Sequence, residues 1–264
     1  MSQNSTETFE EFSARVLYED NHIVIVNKIA GEPAQGDESG DEPLLEKVRE
    51  YIRIRKHKEG NVFCGLIHRI DRPVSGALAF ARTSKGLDRM NQLLKRHEMH
   101  KFYWAIVEGV PEIPQQKLVN YVFKNREKNR TYVSDTEKEG WQYAELDYKV
   151  LAHSERYSLL EIELHTGRHH QIRAQLSNIG HPIKGDLKYG AKRSEPDASI
   201  CLHARRLYFE HPINHRQIFL EAEPYNPLFK RILSGEDSNA SDIEKHTSCF
   251  LKACIRRGST NFHL

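Results

Sequence analysis

His68-Arg69-Ile70-Asp71-Arg72-Pro73-Val74-Ser75-Gly76, read as HRIDRPVSG, is the stretch from which the rest of the chain can be ordered. Arg69, Asp71 and Arg72 crowd three charges into four residues, and a proline follows at once. Proline disfavours helix for itself and for the residue before it, so the segment is a rigid, non-helical turn. Apolar runs flank it, Cys64-Gly65-Leu66-Ile67 before and Gly76-Ala77-Leu78-Ala79-Phe80 after. An isolated Asp in a loop most often bonds its own backbone. A charged turn presented by two buried strands is a different case, because reactive groups gather on loops held by a rigid scaffold.

Upstream, Met1 to Ser13 is polar, acidic and aperiodic, and is expected to be a loose lead-in. Val16–Tyr18 and Ile23–Asn27 are two short β-rich runs around Glu-Asp-Asn, a hairpin pattern, and the Gly-, Pro- and Asp-rich stretch from Gly31 to Pro43 is a loop. Leu44, Leu45, Val48, Tyr51 and Ile52 recur at helical spacing, with acidic residues before them and Arg53, Arg55 and Lys56 at the end, as the helix dipole favours. Downstream, Gly76–Ala81 is a short apolar strand and Ser84 is expected to cap a helix carrying Leu87, Met90, Leu93 and Leu94. Lys101–Gly109 returns as a strand.

Val110–Gln142 is polar, contains the basic run KNREKNR (Lys124 to Arg130), and reads as a hairpin and loop excursion. Two alternating strands follow, ending near Ala152 and His165, then a helix that carries Ile172, Leu176 and Ile179 inward, with Arg173 one step off that face. A final strand pair lies near Leu202–Phe209 and Ile218–Ala222. Strands outnumber helices and lie mostly in hairpins, which implies an α+β fold on a largely antiparallel, mixed sheet flanked by helices. The expected division is a lead-in over 1–13, one catalytic domain over 14–232 and a flexible tail over 233–264.

Composition limits the functional classes. Lys and Arg number 39 against 37 Asp and Glu, so there is no domain-wide basic field and any nucleic-acid site must be a local patch. The start of the chain has no signal-like apolar run, no stretch approaches a spanning helix, and the four cysteines form no CxxC pair; a cytoplasmic protein with free thiols is expected. Dinucleotide-binding, P-loop, zinc-protease and serine-hydrolase signatures are missing. The second dense cluster is HTGRHHQIRAQL, His165–Leu176, where Thr166-Gly167-Arg168 lies between a strand and a helix N-terminus that attracts anions. His165 and His169 straddle Gly167 and make a poor metal pair.

HRIDRPVSGALAFART resembles the catalytic motif of the RluA-like pseudouridine synthases. VLYEDNHIVIVNKIAG, KFYWAIVEG, TGRHHQIRAQLSNIGHPIKGDLKYG and LHARRLYFEHP with IFLEAEP resemble that family's other blocks, in order, over roughly Val16 to Phe229. Ile29 and Gln175 depart from it, where proline and histidine are usual. The resemblance implies that Asp71 is the catalytic aspartate, that Arg69 accompanies the flipped nucleotide, that Tyr103 packs on the target base and that Arg173 partners the Asp71 carboxylate. It further implies substrate contacts from His68, Arg72, Arg168, Gln171, Ile172 and Leu202.

The implied activity is isomerisation of selected uridines in structured ribosomal or transfer RNA, without cofactor or metal, by a protein expected to be a monomer. No N-terminal S4 domain is expected, since fewer than twenty residues precede the first strand. Phosphate contacts are expected from Arg53, Arg55, Lys56 and Lys58, from Lys124, Arg126, Lys128 and Arg130, from Arg168, Lys184 and Lys188, and from the tail's Lys245, Lys252, Arg256 and Arg257. The rival readings are a non-catalytic RNA-binding or ribosome-assembly protein on the same fold and a metal-dependent RNA hydrolase.

Overall fold

The structure is a computed structural model that describes residues 7–37 and 40–236. In chain order it contains α1 (Phe9–Ala14), β1 (Val16–Glu19), β2 (Ile23–Lys28), α2 (Leu44–Arg55), β3 (Gly65–Leu66), β4 (Ser75–Ala81), α3 (Ser84–Lys95) and β5 (His100–Glu108). There follow β6 (Gln115–Asn125), β7 (Arg130–Ser134), β8 (Gln142–His153), β9 (Tyr157–Leu164), α4 (Gln171–Asn178), a single 3₁₀ turn (Leu187–Tyr189), β10 (Leu202–Glu210), β11 (Gln217–Glu221) and α5 (Leu228–Ser234). The strands make one sheet in the order β1-β2-β4-β10-β5-β9-β8-β6-β7, with β11 on β10 and β3 on β4. The β4–β10 pair is parallel, and the other pairs are antiparallel. This is the expected α+β architecture.

Apolar side chains fill both faces of the sheet's centre. On one face Val26, Leu78, Tyr103, Leu146 and Ile172 belong to a core that also takes in α1, α2 and α5; on the other, Ile25, Ala79 and Phe209 pack with Met90 and Leu93 of α3. Burying each such large side chain contributes about 1.5–3 kcal/mol. β2 and β4 are buried almost throughout, as strands covered on both faces must be.

The parallel contact places the functional site. Ser75 pairs with His203 and Gly76 with Ala204, which sets the start of β4 beside the start of β10. Gly76 has φ +116°, and a Cβ there would lie 2.4 Å from the Ala204 backbone nitrogen and oxygen. Only glycine permits this approach. The turn leading into β4 is thereby fixed against the centre of the sheet.

Three expectations need correction. The lead-in is not loose from Thr8 onward: Thr8 and Glu11 form a capping box for α1, whose Phe12 is buried with its ring 5.5 Å from that of Tyr51. Thr8-x-x-Glu11 is the signature that could have revealed it. The cap of α3 is Thr83, one residue before Ser84, its hydroxyl accepting the Gly86 N–H at 3.0 Å. The polar stretch after Val110 does hold the expected hairpin, β6 with β7, but it is not a loop excursion, because β6 also pairs along its length with β8. Its alternation of exposed and buried residues hides that internal place. At the other end α5 carries the fold through Ser234 with Ile232 buried, while tail residues 237–264, with Cys249 and Cys254, lie outside the described residues.

Candidate active site

A cavity of about 740 Å³ opens where the 68–76 turn faces the loop between β9 and α4. Its residues come from the turn, from β5, from the 33–37 loop and from the start of α4, so one site joins both dense clusters of the sequence.

The turn is held through its backbone. The Val74 N–H donates to the Asp71 carbonyl at 3.0 Å, closing a turn with Arg72 and Pro73 at its centre. Ile200 N–H donates to Pro73 O at 3.1 Å, and Gly31 N–H to Arg72 O at 2.8 Å. Beneath lies the fully buried Lys28, whose ammonium donates to the carbonyls of Ile29 (3.0 Å), Arg72 (3.0 Å) and Val74 (2.8 Å). Burial pushes the Lys28 ammonium down to about 7.

Asp71 stands out from this base with its side chain partly exposed. Its Oδ2 accepts from Arg173 Nη1 at 3.0 Å and lies 3.5 Å from His170 Nε2. Arg173 is not a rim residue, as its position one step off the helix face suggested, but is buried. Its Nε and Nη2 donate to the buried Asp186 at 2.6 and 2.9 Å, and its guanidinium lies 5.0 Å from the centre of the Tyr189 ring. The fork thus grips Asp186 and leaves one nitrogen for Asp71.

The facing loop is held through its side chains. His170 has φ +49°, an uncommon conformation for a non-glycine residue, and starts α4. Its Nδ1 lies 2.9 Å from the Tyr189 hydroxyl, which also accepts the Thr131 N–H at 2.8 Å. The Asp71 carboxylate facing Nε2 can only accept, which favours the histidine proton on Nε2 and leaves Nδ1 to accept from the Tyr189 hydroxyl. Burial first, and then the Arg173 guanidinium, push His170 down to about 2, so the ring is neutral. His169 stacks on it at 3.7 Å and is pushed down to about 4, chiefly by burial.

Tyr103, Ile172 and Leu202 are buried and line the cavity beside Asp71; burial and the Asp71 charge push the Tyr103 phenol up. This gives a flat ring and two aliphatic walls next to one carboxylate. His68 also lines it. Its Nε2 accepts the Ala79 N–H at 3.3 Å, so the proton sits on Nδ1, and burial, then the Lys101 ammonium, push the ring down to about 3.

Residues 22–178 match the family model described as RNA pseudouridylate synthase. The chain belongs to that family. It is 33% identical over 215 residues to the ribosomal large subunit pseudouridine synthase C of Buchnera aphidicola, covering 79% of this chain and 66% of that protein. It is 32% identical over 247 residues to the tRNA pseudouridine synthase C of Vibrio parahaemolyticus, covering 84% of this chain and 96% of that one. The chain spans about two thirds of the first relative's length and nearly all of the second's. In fold it is similar to human RNA pseudouridylate synthase domain containing 4, with a TM-score of 0.71, 21% identity and coverage of 86% and 94%.

In this pseudouridine synthase the other residues singled out from the sequence occupy different places. Arg69 is exposed at the cavity. Arg72 lines it too, but its guanidinium meets Asp37 and Asp41 of the neighbouring loop. Arg168 is exposed, donating from Nε to Tyr143 O at 2.9 Å. Gln171 is almost fully buried, with its amide oxygen taking Thr166 Oγ1 and Arg168 N and its amide nitrogen donating to Glu145 O and Gln175 Oε1. Its hydrogen bonds brace the loop.

Of the basic candidates, Lys124 and Arg168 reach the cavity. The other described ones do not line it: Arg53 pairs with Glu50, Lys184 with Glu195, and Lys188 donates to Asn129 O; Lys245, Lys252, Arg256 and Arg257 lie outside the described residues. Sequence reading missed Lys28, Lys101, His170, Asp186 and Tyr189. Asp186 and Tyr189 lay in the matched block GDLKYG, but their partners are set by tertiary contact alone. Among the described residues no group of three or more His, Cys, Asp and Glu side chains could hold a metal ion.

Proposed function

We propose that this RNA pseudouridine synthase works through Asp71 on uridines in ribosomal or transfer RNA, the substrates named for its two relatives. One observation carries the reading: a partly exposed carboxylate, oriented by a buried arginine, stands beside Tyr103, Ile172 and Leu202 in one cavity.

The reaction breaks the N1–C1′ bond, turns the uracil and rejoins it through C5, while C5 loses its proton and N1 gains one. No atom is added overall. Asp71 is suited to attack the sugar or the uracil, or to remove a proton from the sugar. Arg173, immobilised by Asp186, aims the carboxylate. Tyr103 and the aliphatic walls hold the detached base while excluding water. The neutral His170 faces Asp71 through Nε2 and places no competing charge beside the carboxylate.

A stacked uridine cannot reach this cavity, so the target is flipped out at a cost of a few kcal/mol, offset by phosphate contacts. Arg69, at the mouth, is positioned to take the space the base vacates, and Lys124 and Arg168 to meet the backbone. His68 and Gln171 shape the walls from behind. The reading includes a cytoplasmic monomer; no helix of the described residues is long and apolar enough to cross a membrane.

The test maps pseudouridines by carbodiimide-based primer extension on unmodified ribosomal and transfer RNA, incubated with wild-type protein or Asp71→Ala. New stops with wild type alone are expected, with both proteins folded. Binding by both proteins with no stops from either would discard the catalytic reading in favour of an RNA-binding protein.

A further inference from the structure

Lys101 enters the cavity from β5, two residues before Tyr103 and so on the same face of the strand. It is half-buried. Its ammonium lies against the loop that follows β9, since a Cβ at Gly167 would sit 3.7 Å from Nζ. On its other side is His68, whose ring feels its charge.

Among the described residues, Lys101 Nζ has no hydrogen bond and no ion pair. Other lysines withdrawn from solvent are treated differently. Lys28 has three carbonyls, Lys47 has Glu7 and Glu32, and Lys184 has Glu195. Burial alone pushes the Lys101 ammonium down, with no acidic neighbour to raise it. Withdrawing a cation from water without a partner is costly, and it is tolerated where a ligand supplies the counter-charge. His68 strengthens the case: its Nδ1, which carries the ring proton, is buried and has no partner. Two donors in one wall of the cavity thus lack acceptors.

We infer that Lys101 is an RNA-binding residue that takes the phosphodiester adjoining the flipped uridine. The inference rests on the RNA-modifying reading of the cavity and adds a specific anion subsite to it. A phosphate, and not the uracil, is the occupant the geometry favours, because Lys101 makes no ion pair with Asp71 and so stands apart from the reacting carboxylate. The wall beside it is the backbone at Gly167, where the lack of a side chain leaves room for a chain of nucleotides.

The experiment compares wild type, Lys101→Met and Lys101→Arg on an RNA transcript that the wild-type protein modifies, across a salt series, together with thermal unfolding of each free protein. For Lys101→Met, KM should rise about tenfold or more while kcat at saturating RNA stays unchanged. The slope of log(kcat/KM) against log salt should flatten by about 0.7–0.9, one phosphate's share, and Lys101→Arg should restore it. The free Lys101→Met protein should melt at the same temperature as wild type or higher, since it loses an unpaired ammonium. A fall in kcat with an unchanged salt slope would overturn the inference in favour of a contact to the detached uracil. A lower melting temperature without rescue by arginine would overturn it in favour of packing. If wild type makes no pseudouridine at all, the catalytic reading fails separately, and the salt slope of RNA binding by the same proteins still decides Lys101.

Discussion

The Asp71 carboxylate meets two regions built in different ways. On one side the 68–76 turn is fixed by its own main chain, with the carbonyls of Arg72, Pro73 and Val74 all engaged by donors from elsewhere in the fold. On the other, the loop entering α4 depends on side chains: Gln171 inside the loop, Tyr189 on His170, and Asp186 on Arg173. A main-chain clamp tolerates change in the side chains it displays, so the turn can carry a reactive group with little cost. A side-chain clamp fails when one member is replaced. The two halves should therefore respond differently to mutation, and Arg173 is the place to break the comparison first.

Replacing Asp186 by Ala leaves the buried guanidinium of Arg173 with Asp71 as its remaining carboxylate. Removing one partner of a buried ion pair costs about 3–5 kcal/mol, which urea unfolding would register. Turnover should fall as well, because Arg173 becomes free to rotate away from Asp71. If Asp186→Ala proved as stable as wild type, the facing loop would not be the side-chain assembly described above.

Lys28→Met tests the turn. The substitution removes the donor to three carbonyls, but Arg72 O keeps the Gly31 amide and the methionine no longer buries a charge. Net destabilisation should be smaller, about 1–3 kcal/mol. Activity should suffer more than stability, because a shift of about 1 Å in Asp71 costs on the order of 10²-fold in turnover. Equal loss from Lys28→Met and Asp186→Ala would erase the distinction between the two clamps.

That distinction was only half legible from the chain. The turn could be read because its signals are local: a proline, crowded charges and apolar flanks between Cys64 and Phe80. The strands around it were also legible, since alternation and turn chemistry are short-range. The partnership of Arg173 with Asp71 came through resemblance and spans 102 residues. Its burial was not readable, because helix periodicity places Arg173 on the boundary and only the approach of Asp186 makes the interior habitable. Lys28 lies just past the run Ile23–Asn27 that reads as a strand. Nothing in its neighbourhood signals that the 68–76 turn will cover it, for that depends on the parallel approach of β4 to β10 at Gly76.

Acid and alkali should act in opposite windows, the first through buried histidines and the second through Lys28. His170 and His203 are neutral in the fold, pushed down to about 2 and about 4, each chiefly by burial. Below pH 6.5 the unfolded chain takes protons that the folded chain refuses, so stability present above 6.5 is lost as pH falls towards 4. Each such histidine adds a slope of up to about 1.4 kcal/mol per pH unit, and unfolding curves of His203→Gln should be flatter by one histidine's share. Lys28 acts in the other window. Its ammonium is pushed down to about 7 from 10.5, so between those values the unfolded chain holds the extra proton and stability rises with pH. Lys28→Met should remove that alkaline rise and leave the acid slope untouched.

The smallest expected effect belongs to α1, which touches neither clamp. Thr8 accepts the Glu11 N–H at 3.2 Å while the Glu11 carboxylate accepts the Thr8 N–H at 2.8 Å, and together they start a helix of six residues whose Phe12 packs on Tyr51 of α2. Thr8→Ala should cost about 1 kcal/mol, the ordinary loss of an N-cap. Arg15 caps the C-terminus of the helix and is bound to Glu32 in the loop beside Lys28, which gives α1 one route to the turn. Arg15 Nε also donates to Asn27 O, however, which anchors it to β2 independently of the helix. Turnover of Thr8→Ala should therefore equal that of wild type at 25 °C, and a reduced kcat would show that the main-chain clamp extends to the first helix of the fold.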